Sequence, residues 1–331
     1  MKRRRFLQAS TAAATPAAFA QTPRPASSAA AAGPEPSNLE EHGGLVIERA
    51  NPGKPHSGKV LVAIQPHSDD IPIFAAGTVL KLIDEGYSAY LIRVTNDDMA
   101  GPGGIASTVS ANERDNGAVA RALGVKQTFD LNYNNHMMDA VSRPELRARF
   151  IFLFRLLKVD TIVTYDPWGH YEENPDHYVT SACVEAAAWM SGGDKDYPEH
   201  FAAGLKPHAV KDKYYFGRFQ QRVNRVVDIG PWVERKIGVL LENKAQGPAG
   251  ELGSQLRRSL AAQGTRLPLL GEDDNAANRA YIREFTLDRD RRNGRAHGLE
   301  WAEQFITSAR RTTRWPRTLG LMPFQFEELM P

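Results

Sequence analysis

The 331-residue chain has little cysteine and no excess of charge of either sign. Its single cysteine, Cys183, excludes an intramolecular disulfide, so the core has to stabilise the fold. Lysine and arginine number 41 against 39 aspartate and glutamate, which excludes the basic surface typical of nucleic-acid binding. After the first twenty residues, no segment of the sequence is long and apolar enough to span a bilayer. No Gly-x-Gly-x-x-Gly follows the first strand pattern, which argues against a dinucleotide-binding protein.

The first residues have the pattern of an export signal. An arginine cluster followed by Phe-Leu (residues 3–7) precedes a weakly apolar stretch, and Ala18–Ala20 fits a small-x-small cleavage site. We therefore expect residues 1–20 to be a twin-arginine signal peptide and the protein to be periplasmic or secreted, with no membrane span after cleavage. Residues 21–43 are rich in Ala, Pro, Ser and Gly and predict a flexible linker.

From residue 59 the pattern alternates between strands and helices. Lys59–Gln65, Ala89–Thr95 and Thr161–Tyr165 are short apolar runs with β-branched residues, as in buried parallel strands. A helical pattern follows each run, and the one after the first run extends from Ile71 to Glu85. This alternation predicts an α/β fold, namely a Rossmann-like, doubly wound and mostly parallel sheet with helices on both faces.

The second half of the chain predicts a strand and helix extension. Strands are expected over 213–219 and 223–228, joined by a short turn, and a helical pattern resumes over 299–310. We expect residues 44–250 to form the functional domain, and residues 251–331 to be a C-terminal extension packed on that same domain.

Polar side chains follow two of the predicted strands. His67, Asp69 and Asp70 come directly after the first, and a loop after Tyr165 leads to His177. Because parallel strands end at one edge of a sheet, where ligands bind, His67, Asp70 and His177 can form a two-His, one-carboxylate set. Such a set with an open position holds catalytic zinc, and other divalent ions also use it. Asp69 or Asp70 has the alternative role of capping the following helix.

These motifs resemble the PIG-L/LmbE-like family, zinc-dependent deacetylases of N-acetylglucosamine-type substrates. The family's His-Pro-Asp-Asp motif corresponds to His67–Asp70, and its His-Pro-Asp-His motif to Asn174–His177. The resemblance runs from about Lys59 to Gln246, with a weaker echo at Trp301–Phe305. It implies Zn²⁺ bound by His67, Asp70 and His177, with Asp69 as the general base and Asp176 orienting a ligand or a donor.

Two positions depart from the family's pattern. Asn174 stands where the family often has a His that stabilises the oxyanion, so Asn174 itself and His170 are candidates for that role. Asn112 stands where the family commonly has a substrate-binding Arg, and Arg114 is a candidate replacement. The other candidates for substrate contact lie on loops and are Asn96, Asp98, His136 and Trp168.

The sequence thus predicts a metal-dependent hydrolase that removes an N-acyl group, expected to be acetyl, from an amino sugar or glycoconjugate. One alternative is an amidase for a non-sugar N-acyl metabolite. Another is a non-catalytic, metal-containing carbohydrate-binding module, although Asp69 argues against it because a binding protein needs no base. The expected partner is a small-molecule or glycan substrate, and the oligomeric state is left open.

Overall fold

The structure, a computed structural model, describes residues 39–42, 44–219, 222–246 and 250–307. The predicted signal peptide and most of the predicted linker lie outside the described residues. The end of that linker, Leu39–His42, forms a strand instead.

A mixed sheet of nine strands runs through this described part of the chain in the order β1-β2-β8-β9-β7-β6-β3-β4-β5. Strands β7, β6, β3, β4 and β5 are consecutive parallel neighbours, which confirms the predicted α/β fold. The strands are Leu39–His42 (β1), Leu45–Glu48 (β2), Val60–Gln65 (β3), Ser88–Thr95 (β4), Thr128–Tyr133 (β5), Thr161–Tyr165 (β6), Asp212–Phe216 (β7), Arg225–Asp228 (β8) and Ala302–Thr307 (β9).

Helices connect these strands. No helix among the described residues combines the length and apolarity needed to cross a membrane. The helices are Asp70–Phe74 (α1), Ala76–Asp84 (α2), Ile105–Leu123 (α3), Arg143–Leu157 (α4), Pro175–Met190 (α5), Pro198–Ala202 (α6), Val233–Glu242 (α7), Leu252–Ala262 (α8), Asp274–Tyr281 (α9) and Asp288–Arg295 (α10).

Both faces of the central strand β3 are covered. Leu61 and Ala63 of β3 pack in one core with α1, α2, α3 and α7, whereas Val62 and Ile64 pack in a second core with α4 and α5. Because side chains alternate across a strand, covering both faces buries every one of these residues. The uninterrupted apolar run of β3 therefore follows from its central place in the sheet.

The predicted helix over 299–310 is wrong. Ala302–Thr307 forms β9, which lies between β7 and β8 and pairs antiparallel with both, and residues 308–310 lie outside the described residues. Phe305 of this strand is fully buried. Pairing on both sides satisfies the backbone of β9 and overrides the weak helical spacing of its side chains. The two strands predicted to be joined by a turn are consequently separated by β9.

The predicted helix from Ile71 to Glu85 is divided at Ala75, whose φ of −145° ends α1. The Glu303 carboxylate of β9 accepts hydrogen bonds from Gly77 N (2.9 Å) and Thr78 N (2.8 Å). Since the first N–H groups of a helix have no partner within it, this carboxylate stabilises a separate start for α2.

Candidate active site

The turn between β3 and α1 forms the first half of the site. His67 N donates a hydrogen bond to Asp70 Oδ2 (2.8 Å), and Asp70 Oδ1 accepts one from the hydroxyl of Tyr165, the last residue of β6 (2.8 Å). Gln65 at the end of β3 accepts one from Ile71 N (3.2 Å). These bonds hold the Asp70 carboxylate beside the His67 imidazole.

The first turn of α5 forms the second half. His177 Nε2 lies 3.0 Å from His67 Nδ1 and 3.6 Å from Asp70 Oδ1. One ligand atom from each of the three buried residues lies within 4.8 Å of the others. The structure thus brings the three predicted metal ligands together. Two imidazoles and one carboxylate converging on a point fit a divalent metal ion that keeps an open coordination position.

A carboxylate lies behind each imidazole. Asp176 Oδ2 lies 3.0 Å from His67 Nε2, and Glu172 Oε1 lies 3.1 Å from His177 Nδ1. Such partners hold the proton on the outer nitrogen of each ring and leave the inner nitrogen able to bind a metal. Asp176 lies where an orienting residue was predicted, whereas Glu172 was not predicted.

Charge within this cluster favours a cation. Burial alone would lower the pKa of His67, but Asp176 and Asp70 on its two sides raise that pKa well above its usual value. For the acid Glu172 the two effects have the opposite signs. Burial alone would raise the pKa of Glu172, but the neighbouring His177 lowers that pKa below its usual value. The carboxylates of Asp70, Glu172 and Asp176 therefore stay ionised and attract positive charge to the imidazole pair, as a metal site requires.

Asp69 stands beside the ligand set without belonging to it. Within the described part of the chain its side chain makes no capping hydrogen bond to α1, although it precedes that helix, so the capping role is excluded for it. Asp69 lines the same cavity as the ligands. Enclosure by the surrounding protein and the neighbouring Asp70 carboxylate raise the pKa of Asp69 to about 8. A carboxyl group with a raised pKa can exchange a proton near neutral pH.

The cavity over these residues has a volume of about 230 Å³. It lies at the carboxyl edge of the sheet, where ligands bind in open α/β folds. Besides the three ligands and Asp69, its lining comprises Ile73, Phe74, Ala100, Asn135, His136, Tyr165, Asn174, Arg218 and Gln246.

Two of the predicted polar residues line this cavity, Asn174 and His136. The Asn174 amide oxygen accepts a hydrogen bond from Asp176 N (2.9 Å) at the start of α5. The NH₂ group of Asn174 takes no part in that bond and can donate to a substrate. His136 has a φ of +60° and donates its backbone N–H to Asp176 Oδ2 (2.8 Å). A histidine in this left-handed conformation is uncommon, and the bond to Asp176 helps to hold it at the cavity.

The predicted substrate contacts Asn96 and Asp98 support a neighbouring loop and do not line the cavity. The Asn96 side chain accepts a hydrogen bond from Asp98 N (3.2 Å). Asp98 in turn accepts bonds from Asn135 N (2.9 Å) and from the Asn134 side chain (2.8 Å). Because this loop carries His136, both residues act on the cavity through their neighbours.

The other three candidates lie away from the cavity lining. His170 and Arg114 are exposed, and Trp168 is 64% exposed with its ring edge-on to Tyr215. Contact of these residues with substrate stays a prediction. Asn112 is fully buried, and its amide donates to the carbonyl oxygens of Asp97 and Ala100 in the loop after β4.

Four residues of the site were not predicted from the sequence, and two of them had a usable local signal. Tyr165 ends a predicted strand at the active edge, and its ring stacks on His177 with centroids 4.1 Å apart, so its position was a usable signal. Glu172 could have been found as an acidic residue in the loop before His177. Arg218 and Gln246 reach the cavity only through the tertiary fold, and no local pattern identifies them.

Comparison with known proteins gives a consistent assignment. Residues 62–188 match the PIG-L family, described as GlcNAc-PI de-N-acetylase, and this segment contains all three metal-ligand candidates. The chain is also 26% identical over 196 residues to a diacetylchitobiose deacetylase from Thermococcus kodakarensis, covering 57% of this chain and 71% of that protein.

Two solved structures share the fold. N,N'-diacetylchitobiose deacetylase from Pyrococcus horikoshii, complexed with an inhibitor, has a TM-score of 0.60 at 22% identity, covering 75% of this chain and 83% of that chain. GalB, a 4-carboxy-2-hydroxymuconate hydratase from Pseudomonas putida, has a TM-score of 0.54 at 14% identity, covering 76% and 96%. Since a deacetylase and a hydratase share this architecture, the function has to be argued from the site.

The family match and the geometry agree. The matched segment carries His67, Asp70 and His177 within one buried cluster and Asp69 beside them in the same cavity. Residues 62–188 therefore form a PIG-L domain, similar to that of N-acetylglucosamine deacetylases, and the protein is a hydrolytic N-deacetylase.

Proposed function

We propose that this protein uses a bound divalent metal ion, Zn²⁺, to hydrolyse the acetamido group of an amino sugar and release acetate. The observation that carries the proposal is the buried set of His67, Asp70 and His177 with the non-ligating Asp69 carboxylate in the same cavity. His67, Asp70 and His177 would hold the ion, which when bound supplies Lewis acidity towards water and the amide carbonyl.

Asp69 has the position of a proton carrier. In the proposed reaction its carboxylate accepts a proton as a water oxygen forms a bond to the carbonyl carbon. It then delivers that proton to the amine nitrogen as the carbon–nitrogen bond breaks, so that acetate and the free amino sugar leave. A proton carrier needs a pKa near the working pH, and the raised pKa of Asp69 supports this role.

The oxyanion formed on the carbonyl carbon needs hydrogen-bond donors. The NH₂ group of Asn174 and the imidazole of His136 are candidates at the cavity wall. The exposed His170, the other candidate, is not among the residues that line the cavity.

An acetylated amino sugar is the substrate class with most support. The Thermococcus kodakarensis relative is named for diacetylchitobiose, which carries two acetamido groups. A cavity of about 230 Å³ with polar walls suits one sugar ring.

We also propose that the protein acts outside the cytoplasm. The arginine-rich start and the small-residue cleavage pattern of the sequence support export to the periplasm or medium.

The proposal is tested by metal content and acetate release from the same preparation. Purified protein would be analysed for bound metal, and then assayed on N-acetylated amino sugars and on non-sugar N-acyl amides. We expect about one metal ion per chain and acetate from the sugars only. Acetate from the non-sugar amides alone would indicate an amidase for a non-sugar N-acyl metabolite. Bound metal without hydrolysis of either set of substrates would indicate a non-catalytic binding module.

A further inference from the structure

A second cavity, of about 560 Å³, adjoins the candidate active site. Among the residues that the structure describes, three arginines and no acidic residue line it, and we call it the arginine cavity. Its lining residues are Arg218, Phe219, Val223, Arg289, Arg292, Asn293 and Gln304.

Arg218 and Arg289 connect the two cavities. Arg218 lines both of them, and its guanidinium is paired with Glu173 Oε1 (2.5 Å) and lies 3.6 Å from Glu172 Oε2, behind the metal ligand His177. The Arg289 guanidinium lies 5.0 Å from the ring centre of Phe74, which lines the active-site cavity. The two cavities therefore share one lining residue, and a second contact joins their linings.

In the described part of the chain, Arg289 forms no ion pair with a carboxylate, and the neighbouring Asp290 is paired with Lys236 instead. The Arg289 guanidinium donates to the carbonyl oxygens of Gly217 (2.6 Å) and Arg218 (3.2 Å). Burial lowers the pKa of Arg289, as expected for a cation partly removed from water. Arg292 on the same helix is paired with Asp288 (3.2 Å) but remains 72% exposed.

We propose that the arginine cavity binds an anionic group, a phosphoryl or a carboxylate, on the substrate whose acetamido group lies at His67, Asp70 and His177. This inference rests on the proposed deacetylase function and narrows its substrate to acidic amino sugars. Guanidinium groups suit this role because their planar N–H donors match the oxygen pairs of phosphate and carboxylate. Asn293 and Gln304 add neutral side-chain amides to the same wall.

The test compares a neutral acetylated amino sugar with relatives that carry an added acidic group. The wild type would be assayed on N-acetylglucosamine, its 6-phosphate, its 1-phosphate and N-acetylmuramic acid, which carries a carboxylate. We expect kcat/KM to be at least about tenfold higher for one of the acidic sugars, mainly through a lower KM. Which sugar gains distinguishes a phosphoryl from a carboxylate group.

Variants locate the effect. Arg292→Gln and Arg289→Lys should each reduce the ratio of kcat/KM for the acidic over the neutral sugar by about tenfold, since hydrogen bonds to charged groups contribute most to recognition. Arg295→Gln is the matched control because it removes the same charge from an exposed position of α10 outside the lining. Thermal unfolding of each variant would show that the fold is kept.

Failure of this inference differs from failure of the proposed function. Equal kcat/KM for neutral and acidic sugars, or the same loss in the Arg295→Gln control, would overturn the proposal that the arginine cavity binds an anionic group. Neither result would contradict the proposed deacetylase function. If no sugar is deacetylated, calorimetric binding of glucosamine 6-phosphate, glucosamine 1-phosphate and muramic acid against glucosamine decides the question. Tighter binding of one acidic amino sugar, lost in Arg292→Gln and Arg289→Lys but kept in Arg295→Gln, supports the cavity, and equal binding of all four sugars overturns it.

Discussion

Asp176 Oδ2 lies 3.0 Å from the outer nitrogen of His67, while the inner nitrogen of the same ring faces His177. The Asp176 carboxylate also accepts the backbone N–H of His136 (2.8 Å), so it joins the metal-ligand set to a residue of the cavity wall. One buried side chain therefore fixes both the orientation of a ligand ring and the position of a loop.

Asp176→Asn should weaken metal binding. The amide keeps the size of the side chain but loses the charge that holds the proton on the outer nitrogen of His67. Loss of such a partner commonly costs about tenfold to a hundredfold in metal affinity. Competition against a chelator would measure the metal affinity of the variant and of the wild type. An affinity equal to that of the wild type, with the fold intact, would mean that Asp176 serves only to start α5.

Glu85→Gln should reduce stability in a pH-dependent way. Glu85 is buried and accepts hydrogen bonds from Lys81 (3.0 Å) and from Asn51 N (2.7 Å). Burial alone would raise its pKa, but His56, Lys81 and the Asn51 N–H outweigh burial and lower it below 4.5.

The stabilisation from ionised Glu85 is therefore present above its unfolded-state pKa and is lost as the pH falls through the lower folded-state pKa. Urea unfolding should show Glu85→Gln less stable by about 1–3 kcal/mol at neutral pH. The deficit should shrink as the pH falls below the unfolded-state pKa of Glu85 and through its lower folded-state pKa. The exposed Glu113→Gln is the control. A deficit that stays constant with pH would contradict the assignment to the carboxylate charge.

Glu303→Gln should destabilise the fold strongly. Glu303 is fully buried on β9, where it bonds to the start of α2 and lies 2.7 Å from the buried Lys236 ammonium. Removing one partner of a buried ion pair costs about 3 kcal/mol or more. Denaturant unfolding, with the exposed Glu300→Gln as control, measures the difference. Similar stabilities for the two variants would show that the Lys236 charge is satisfied without Glu303.

The strands of the parallel half could be predicted because their sequences are dominated by burial. Thr161–Tyr165 was predicted with the bounds that the structure has, since both of its faces are covered by helices. β9 was missed because its place between β7 and β8 depends on strand pairing across most of the chain, and a six-residue strand has no distinctive period of its own.

The metal ligands were predictable for a related reason. His67 and Asp70 follow a strand directly, and His177 follows a second one through a short loop, so topology alone puts them at one edge. Arg218 and Gln246 lie at positions where the local sequence carries no such signal. They reach the cavity because of how β7 and α7 end, which only the tertiary structure reveals.

We propose that Asp69 moves protons while Asp70 holds the metal. Metal content and acetate release, measured together on Asp69→Asn and Asp70→Ala, test it most directly. We predict that Asp69→Asn keeps its metal and loses most hydrolysis, by at least about a hundredfold, whereas Asp70→Ala loses metal affinity itself. An Asp69→Asn protein without metal, beside an Asp70→Ala protein with a full complement, would contradict the account.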